Sequence, residues 1–167
     1  MRPTLPSGPI IGVIGGSRAT SEEAAAAEAV GRGLAEAGAV LICGGRGGVM
    51  EAACRGAKSA GGLTIGVLPG RDRHQANAYV DVPIVTGLGE ARNVIITRTA
   101  QAAIAIAGSY GTLSEIALAM GFGTAVVGLR TWRVEREGHP PAAIDDVDSP
   151  QEAVARALAL ARERGAR

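Results

Sequence analysis

The amino-acid sequence predicts an α/β protein whose parallel sheet is doubly wound, with helices on both faces. Short apolar runs alternate with helical stretches along the 167-residue chain, which is the order of βαβ units. These runs are apolar at every position, as in strands that helices cover on both sides. Glycine-rich segments follow several of the runs and lead into helices, as do the ligand-binding loops at the carboxyl edge of such a sheet.

The first half of the chain alternates between three strands and two helices. The first helix covers 21–37, because Thr20 and Glu23 have the three-residue spacing of a capping box and Gly38 is a typical stop. The second helix runs from 49 to about 60. The strands are predicted at 10–14, 40–43 and 63–68.

The second half contains two segments without a regular period. Residues 71–79 are polar and are interpreted as a loop, and residues 131–147 are interpreted as irregular. The last helix starts at Ser149-Pro150-Gln151-Glu152, which supplies an N-cap, a first-position proline and an acid, and it runs to about 164. The remaining elements are a short strand at 82–86, a helix at 88–100, a strand at 102–106, a helix from about 113 to 120 and a strand at 125–129.

Length and composition favour a single domain over residues 1–167, of which 1–8 are expected to be flexible. A net charge of +1 and only four aromatic residues argue against a nucleic-acid partner. The apolar runs are too short to span a bilayer, and the N-terminus lacks the apolar core of a signal peptide. The few cysteine and histidine residues are not spaced as metal ligands, so we expect no metal. We also expect no membrane association and a cytoplasmic location.

Three glycine-bearing loops are predicted at the carboxyl edge of the sheet, at 15–18, 44–48 and 108–112. A helix N-terminus presents unpaired N–H groups and about half a positive charge, and glycine lets an anion approach them closely. We therefore expect a phosphate-bearing ligand, the alternative being that the glycines only make tight turns. The candidate phosphate-binding residues are Gly16, Ser17, Arg18, Gly45, Gly47, Gly48, Gly108, Ser109, Tyr110, Gly111 and Thr112.

Some side chains beside these glycines have two interpretations. Arg18 and Arg46 either add positive charge for a phosphate or are solvated loop residues. Tyr110 either covers the base of a ligand or packs at a dimer contact.

Three well-known motifs do not fit the sequence. The nearest P-loop match, Gly56-Ala57-Lys58-Ser59, lies in a predicted helix and lacks the earlier glycine. A dinucleotide fingerprint starting at Gly45 has Met50 in place of its third glycine, which argues against a nicotinamide dehydrogenase. The nucleophile elbow of a serine hydrolase is one residue off the pattern at Ser109 and would need His139, from a proline-rich loop, as its base.

Three segments together resemble one known family. Gly108-Ser109-Tyr110-Gly111-Thr112-Leu113-Ser114-Glu115 resembles the P-G-G-x-G-T-x-x-E motif of the Lonely Guy (LOG), or "lysine decarboxylase-like", family. Gly44-Gly45-Arg46-Gly47-Gly48-Val49-Met50 resembles its G-G-x-x-G-x-M loop, and Gly15-Gly16-Ser17-Arg18 its first loop. The resemblance spans 9–130 and implies a Rossmann-like nucleotide-binding fold and a homodimer or higher homo-oligomer.

The resemblance also implies two site residues. Glu115 falls on the acid that is regarded as catalytic in the family, the alternative being an ordinary first-turn Glu. Arg92 falls on the arginine of the family's M-H-x-R-K motif when the segment is aligned without gaps, and it is the only residue of that motif kept here. Because the phosphate loop is kept better than the catalytic residues, the chain resembles the divergent branch that contains molybdenum cofactor carriers.

Two functions follow from this resemblance. One is a nucleoside 5′-monophosphate phosphoribohydrolase, in which the carboxylate of Glu115 stabilises an oxocarbenium-like transition state and Arg92 binds phosphate or acts on the departing base. The other is a non-catalytic carrier of a phosphorylated ligand such as the molybdenum cofactor. Neither function requires a permanent cofactor, and the expected partner is a bound nucleotide, phosphate or molybdenum cofactor.

Overall fold

A computed structural model of the protein describes residues 7–165, so six of the eight residues expected to be flexible lie outside the described residues. Within this range the chain forms seven strands and five α-helices. The strands are β1 (Ile10–Gly15), β2 (Val40–Cys43), β3 (Thr64–Leu68), β4 (Val82–Val85), β5 (Ala102–Ile106), β6 (Ala125–Leu129) and β7 (Ile144–Val147). The helices are α1 (Ser21–Glu36), α2 (Val49–Ser59), α3 (Asn93–Thr99), α4 (Tyr110–Gly121) and α5 (Pro150–Gly165).

All seven strands belong to one parallel sheet in the order β4-β3-β2-β1-β5-β6-β7. The central strand β1 pairs with β2 on one side and with β5 on the other. The chain thus winds outward from β1 in one direction and then returns to wind outward in the other, which confirms the predicted doubly wound Rossmann-like fold.

Each face of the sheet buries its own apolar core. On one face α1, α2 and α5 pack against side chains such as Ile11, Leu41 and Ile104. On the other face α3 and α4 cover Ile14, Ile42 and further side chains of the central strands. The inner strands are almost entirely apolar because both of their faces are buried, as the sequence predicted. The exception is Thr64 at the start of β3, whose buried hydroxyl donates to the carbonyl of Tyr79.

The predicted helix starts of α1 and α5 are confirmed. The Thr20 hydroxyl accepts a hydrogen bond from the backbone N–H of Glu23, at 3.2 Å, and the Glu23 carboxylate accepts one from the Thr20 N–H, at 2.9 Å. At α5 the N–H of Glu152 donates to the Ser149 hydroxyl. These bonds satisfy donors that a helix start would otherwise leave unpaired.

Tertiary contacts change several predicted boundaries. The segment 131–147, predicted to be irregular, contains the edge strand β7, whose Asp145 and Asp146 hide its strand character in the sequence. The helix predicted at 88–100 divides into a 3₁₀ turn at Gly89–Arg92 and α3. Helix α4 begins at Tyr110, three residues earlier than predicted, and it buries Thr112 and Glu115 within its first turns. A 3₁₀ turn also lies within the predicted loop at 71–79.

Among residues 7–165, no helix combines the length and the apolar character that crossing a membrane requires.

Candidate functional site

The candidate site is a cleft at the carboxyl ends of the strands, where the winding of the sheet reverses between β1 and β5. Open α/β sheets bind ligands at this point. The cleft has a volume of about 240 Å³. The loops after β1, β2 and β5 line it together with the 3₁₀ turn at Gly89–Arg92.

Seven of the predicted site residues meet in this cleft, including both candidate catalytic residues. They are Gly16, Ser17, Arg92, Ser109, Gly111, Thr112 and Glu115. Arg46, for which the sequence left two interpretations, also lines the cleft. The fold therefore brings three loops and the 3₁₀ turn, which are far apart in the chain, together at one cleft.

The other predicted residues are not among those that line the cleft, and several of them shape the loops instead. Gly48 has a φ of +65°, and a Cβ there would lie 2.3 Å from the carbonyl oxygen of Gly16. Gly45 and Gly108 also have positive φ, which an L side chain rarely adopts. For these glycines the tight-turn interpretation fits better than direct contact with a ligand. The remaining residues outside the lining are Arg18, Gly47 and Tyr110.

Glu115 and Arg92 form a buried pair. Their side chains are 9% and 6% exposed, and Nη1 of Arg92 lies 3.8 Å from Oε1 of Glu115. Burial raises the pKa of Glu115 to about 7, although the positive charge of Arg92 opposes this rise. The negative charge of Glu90, which also lines the cleft, adds to it. The carboxyl group of Glu115 is therefore present in both protonation states near neutral pH.

Two polar atoms of the cleft residues are buried and have no hydrogen-bond partner among residues 7–165. They are Nε of Arg92 and Oγ1 of Thr112. Nη1 of Arg92, in contrast, donates to the side-chain oxygen of Asn93. Leaving a buried donor unpaired costs about 1–3 kcal/mol, so such groups usually have a partner in the working state of a protein. A ligand with acceptor oxygens would satisfy both groups.

Gly44 provides the space that the guanidinium of Arg92 occupies. A Cβ at Gly44 would lie 2.8 Å from both Nη atoms of Arg92 and 2.6 Å from the sulfur of Met50. The sequence placed Gly44 in a loop but gave it no such function. The predicted site residues also left out Gly15, Met50, Glu90 and Asn93, which line the cleft. All four had a cue in the sequence, since Gly15 and Met50 lie in the first two glycine loops and Glu90 and Asn93 lie beside Arg92 in the aligned motif.

Cys43 and Cys54 lie beneath the β2 loop. Both are buried free thiols whose sulfur atoms are 3.5 Å apart. The hydrogen bond between the two thiols, together with burial, raises the pKa of the Cys54 thiol. Both cysteines are therefore small side chains within the buried core. Within the part of the chain that the structure describes, no three His, Cys, Asp or Glu side chains are grouped to hold a metal ion.

A larger groove of about 640 Å³ lies between α1 and α5. It is lined by small and aliphatic side chains of the two helices together with four polar ones, Glu28, Arg32, Glu36 and Gln151. The smaller cleft is the better candidate because it holds the unpaired polar atoms and the buried ion pair.

A family model for the SLOG cluster4 family matches residues 8–157, which is most of the chain. The chain belongs to the SLOG cluster4 family. An uncharacterized protein of Archaeoglobus fulgidus is 44% identical over 147 residues, which cover 86% of this chain and 91% of that protein. Family membership agrees with the superfamily that the three glycine loops predicted, whereas the finer assignment to LOG enzymes stays a prediction.

Two solved structures similar to this SLOG protein are molybdenum cofactor proteins. The molybdenum cofactor binding protein of Rippkaea orientalis is 38% identical with a TM-score of 0.80, over 89% of this chain and 94% of that one. The Moco carrier protein of Chlamydomonas reinhardtii is 36% identical with a TM-score of 0.81, over 93% and 99% of the two chains. These similarities agree with the predicted place near the carrier branch.

Proposed function

We propose that this SLOG protein binds a small phosphorylated organic ligand in the cleft between β1 and β5 and acts as its carrier. The unpaired Nε of Arg92 and Oγ1 of Thr112 carry this proposal, because a buried donor pair without partners needs an acceptor such as a phosphate. The molybdenum cofactor, a phosphorylated pterin, is the cargo class suggested by the names of the two similar structures.

The phosphate would sit at the first turn of α4. The initial N–H groups of a helix have no partner within the helix, and the helix dipole adds about half a positive charge. Ser109, Gly111 and Thr112 line the cleft at this turn, and Arg92 adds a full positive charge nearby. Gly111 leaves open space where a side chain would stand, since no atom lies within 4 Å of an added Cβ.

Hydrolysis of a nucleoside 5′-monophosphate is the second candidate function, and the state of Glu115 favours it. With a pKa of about 7, a substantial fraction of Glu115 is a carboxylate at neutral pH. That carboxylate could stabilise positive charge on the ribose while the N-glycosidic bond breaks and water adds to the anomeric carbon. The products would be ribose 5-phosphate and the free base.

Calorimetric titration with AMP and with a pterin monophosphate tests the binding proposal. Thr112→Val removes the unpaired hydroxyl and Arg92→Lys removes Nε, so each should weaken binding by about tenfold, as expected for one charge-assisted or buried hydrogen bond. Arg98→Lys is the matched control, because Arg98 lies over the ring of Phe122 and does not line the cleft. Unchanged affinity in both cleft variants would contradict the proposal.

The same samples distinguish the carrier from the enzyme when free base is measured by chromatography. A carrier binds the ligand and releases no base from AMP. Release of adenine that disappears in Glu115→Gln would instead support the phosphoribohydrolase. The Glu115→Gln variant should keep most of its affinity for phosphate, because the amide is isosteric and neutral and Arg92 is retained.

A further inference from the structure

A second concavity of about 370 Å³ adjoins the cleft at the carboxyl ends of β5 and β6. Gly108 lines this concavity and the next residue, Ser109, lines the cleft, so the start of α4 separates the two spaces. Arg130, Trp132 and Arg133 form its outer wall. No function was predicted for these three residues, two of which lie in the segment 131–147 that was expected to be irregular.

Two aromatic rings stand together at this boundary. The rings of Tyr110 and Trp132 are 5.7 Å apart between centroids and inclined by 33°. Tyr110 is 80% exposed, whereas Trp132 is half-buried against the core beneath it and its Nε1 donates to the carbonyl of Ser109 at 3.1 Å. The chain has only four aromatic residues, and two of them form this pair. A largely exposed tyrosine beside an anchored tryptophan leaves aromatic surface free for a ligand.

The backbone beneath the aromatic pair has an unusual conformation. Ala107 and Arg130, with φ of +45° and +52°, are the residues other than glycine that have positive φ within residues 7–165. They follow the ends of the neighbouring strands β5 and β6. The N–H of Ala107 donates to the carbonyl of Leu129, and the Thr131 hydroxyl donates to the carbonyl of Ala107, so Ala107 is bonded to the residues on either side of Arg130. Strained residues of this kind persist where surrounding bonds enforce them, often at ligand sites.

Two arginines and one acid, Glu23, line this concavity. The Glu23 carboxylate already accepts the N–H of Thr20 at the start of α1, so the remaining charge suits a ligand that carries negative or electron-rich groups. Arg130 and Arg133 are both exposed, and each lies near one surface carboxylate, Glu22 and Asp146 respectively. Exposed ion pairs of this kind are weak and are readily exchanged for a ligand. Guanidinium groups stack on flat rings and bind their carbonyl oxygens, so they complement the aromatic pair.

We propose that Tyr110 and Trp132 form the subsite for the flat nitrogen heterocycle of the phosphorylated ligand. The ligand would place its phosphate in the cleft and extend across Ser109, so that its purine or pterin ring rests on the aromatic pair. This inference rests on the proposed binding function, because the phosphate fixes one end of the ligand. It assigns Tyr110 to ligand contact and adds Trp132, Arg130 and Arg133 to the site.

Trp132 is the only tryptophan of the chain, so its fluorescence reports directly on this subsite. We expect GMP to quench the emission of Trp132, and ribose 5-phosphate and inorganic phosphate to change it little. Tyr110→Ala should weaken GMP binding by about tenfold, the scale of one stacked base, and leave ribose 5-phosphate binding within about twofold. Tyr110→Phe keeps the ring and should bind GMP like the unsubstituted protein.

The comparison of GMP with ribose 5-phosphate separates the possible failures. An equal loss for both ligands in Tyr110→Ala would show that Tyr110 only supports the loop, and no loss for either would place the ring elsewhere. Both results overturn the subsite and leave the proposed function standing. Failure of every phosphorylated probe to bind the unsubstituted protein would overturn both proposals. A parallel titration with a pterin monophosphate shows which of the two heterocycles the subsite prefers.

Discussion

Burial and charge oppose each other at Glu115. Desolvation favours the neutral acid, whereas the guanidinium of Arg92, 3.8 Å away, favours the carboxylate. Burial has the larger effect, and the pKa of Glu115 rises from 4.5 to about 7. Glu115 is therefore a group whose charge changes in the physiological pH range, next to the place proposed for an anionic phosphate.

This shift predicts how stability depends on pH. The folded protein binds the Glu115 proton more tightly than the unfolded chain does. The contribution of this proton to the free energy of unfolding is therefore fully present below pH 4.5 and is lost as pH rises through 7. The loss amounts to about 3 kcal/mol when it is complete. Glu115→Gln removes it, so this variant should be more stable than the unsubstituted protein at pH 8, with an advantage that is much smaller at pH 5 and vanishes below pH 4.5.

Urea unfolding at pH 5 and pH 8 measures this difference. Glu137→Gln, a substitution on an exposed loop, serves as the control and should show no pH-dependent gain. If Glu115→Gln gave the same change in stability at both pH values, the pKa of Glu115 would not be raised in the folded protein.

At the scale of elements, the contact between α1 and α2 positions the β2 loop. A Cβ at Gly31 of α1 would lie 1.9 Å from the carbonyl oxygen of Ala53, and one at Gly56 of α2 would lie 1.9 Å from that of Glu28. The two helix backbones therefore touch through glycine. Since α2 begins directly after Gly48 and carries Met50 into the cleft, this contact also fixes one wall of the site.

Gly56→Ala should destabilise the protein by about 2 kcal/mol, even though alanine is the better helix former. The clash is with backbone, which cannot rotate away as a side chain can. Gly121→Ala is the matched control, because nothing lies within 4 Å of a Cβ there, and it should be neutral or stabilising by up to about 1 kcal/mol. Thermal unfolding of both variants gives the comparison, and equal Tm values would contradict the close contact.

For the whole molecule, the family resemblance implied self-association, which stays a prediction. The cytoplasmic location and the lack of a nucleic-acid partner also stay predictions.

The sheet ends at β4, an edge strand, and large apolar side chains are exposed along it and just beyond. Leu88 is the most exposed of them, at 56%, and it lies close in sequence to Glu90 and Arg92 of the cleft. The others are Val82, Ile84 and Val85. Exposed large apolar side chains gathered at one edge of a sheet are typical of an interface.

We expect sedimentation velocity to show a homodimer, and Leu88→Glu to shift it to monomer, because burying the new charge is unfavourable. Val134→Glu changes another exposed apolar side chain, which lies in a different loop, and should leave the dimer intact. A monomeric unsubstituted protein would contradict the expected dimer, and a dimeric Leu88→Glu variant would place its interface elsewhere.

The elements that the sequence predicted well are those with a local cause. The capping box of Thr20 and Glu23 marks the start of α1, and the apolar strands mark the inner sheet. Strand β7 was missed because its pairing with β6, not its composition, makes it a strand. Trp132 was missed for a related reason, since its position under Tyr110 depends on how the ends of β5 and β6 meet.

The sequence by itself determined the α/β class, the parallel sheet and the presence of three glycine loops at one edge, because these depend on periodicity and backbone freedom within a few residues. Only the tertiary structure decided which loop residues line the cleft, that Gly45, Gly48 and Gly108 shape turns, and that Arg92 lies beside Glu115. It also decided the pKa of Glu115 and the pairing of Tyr110 with Trp132. Such properties arise from burial and from distances between residues far apart in the chain, and no local pattern encodes them.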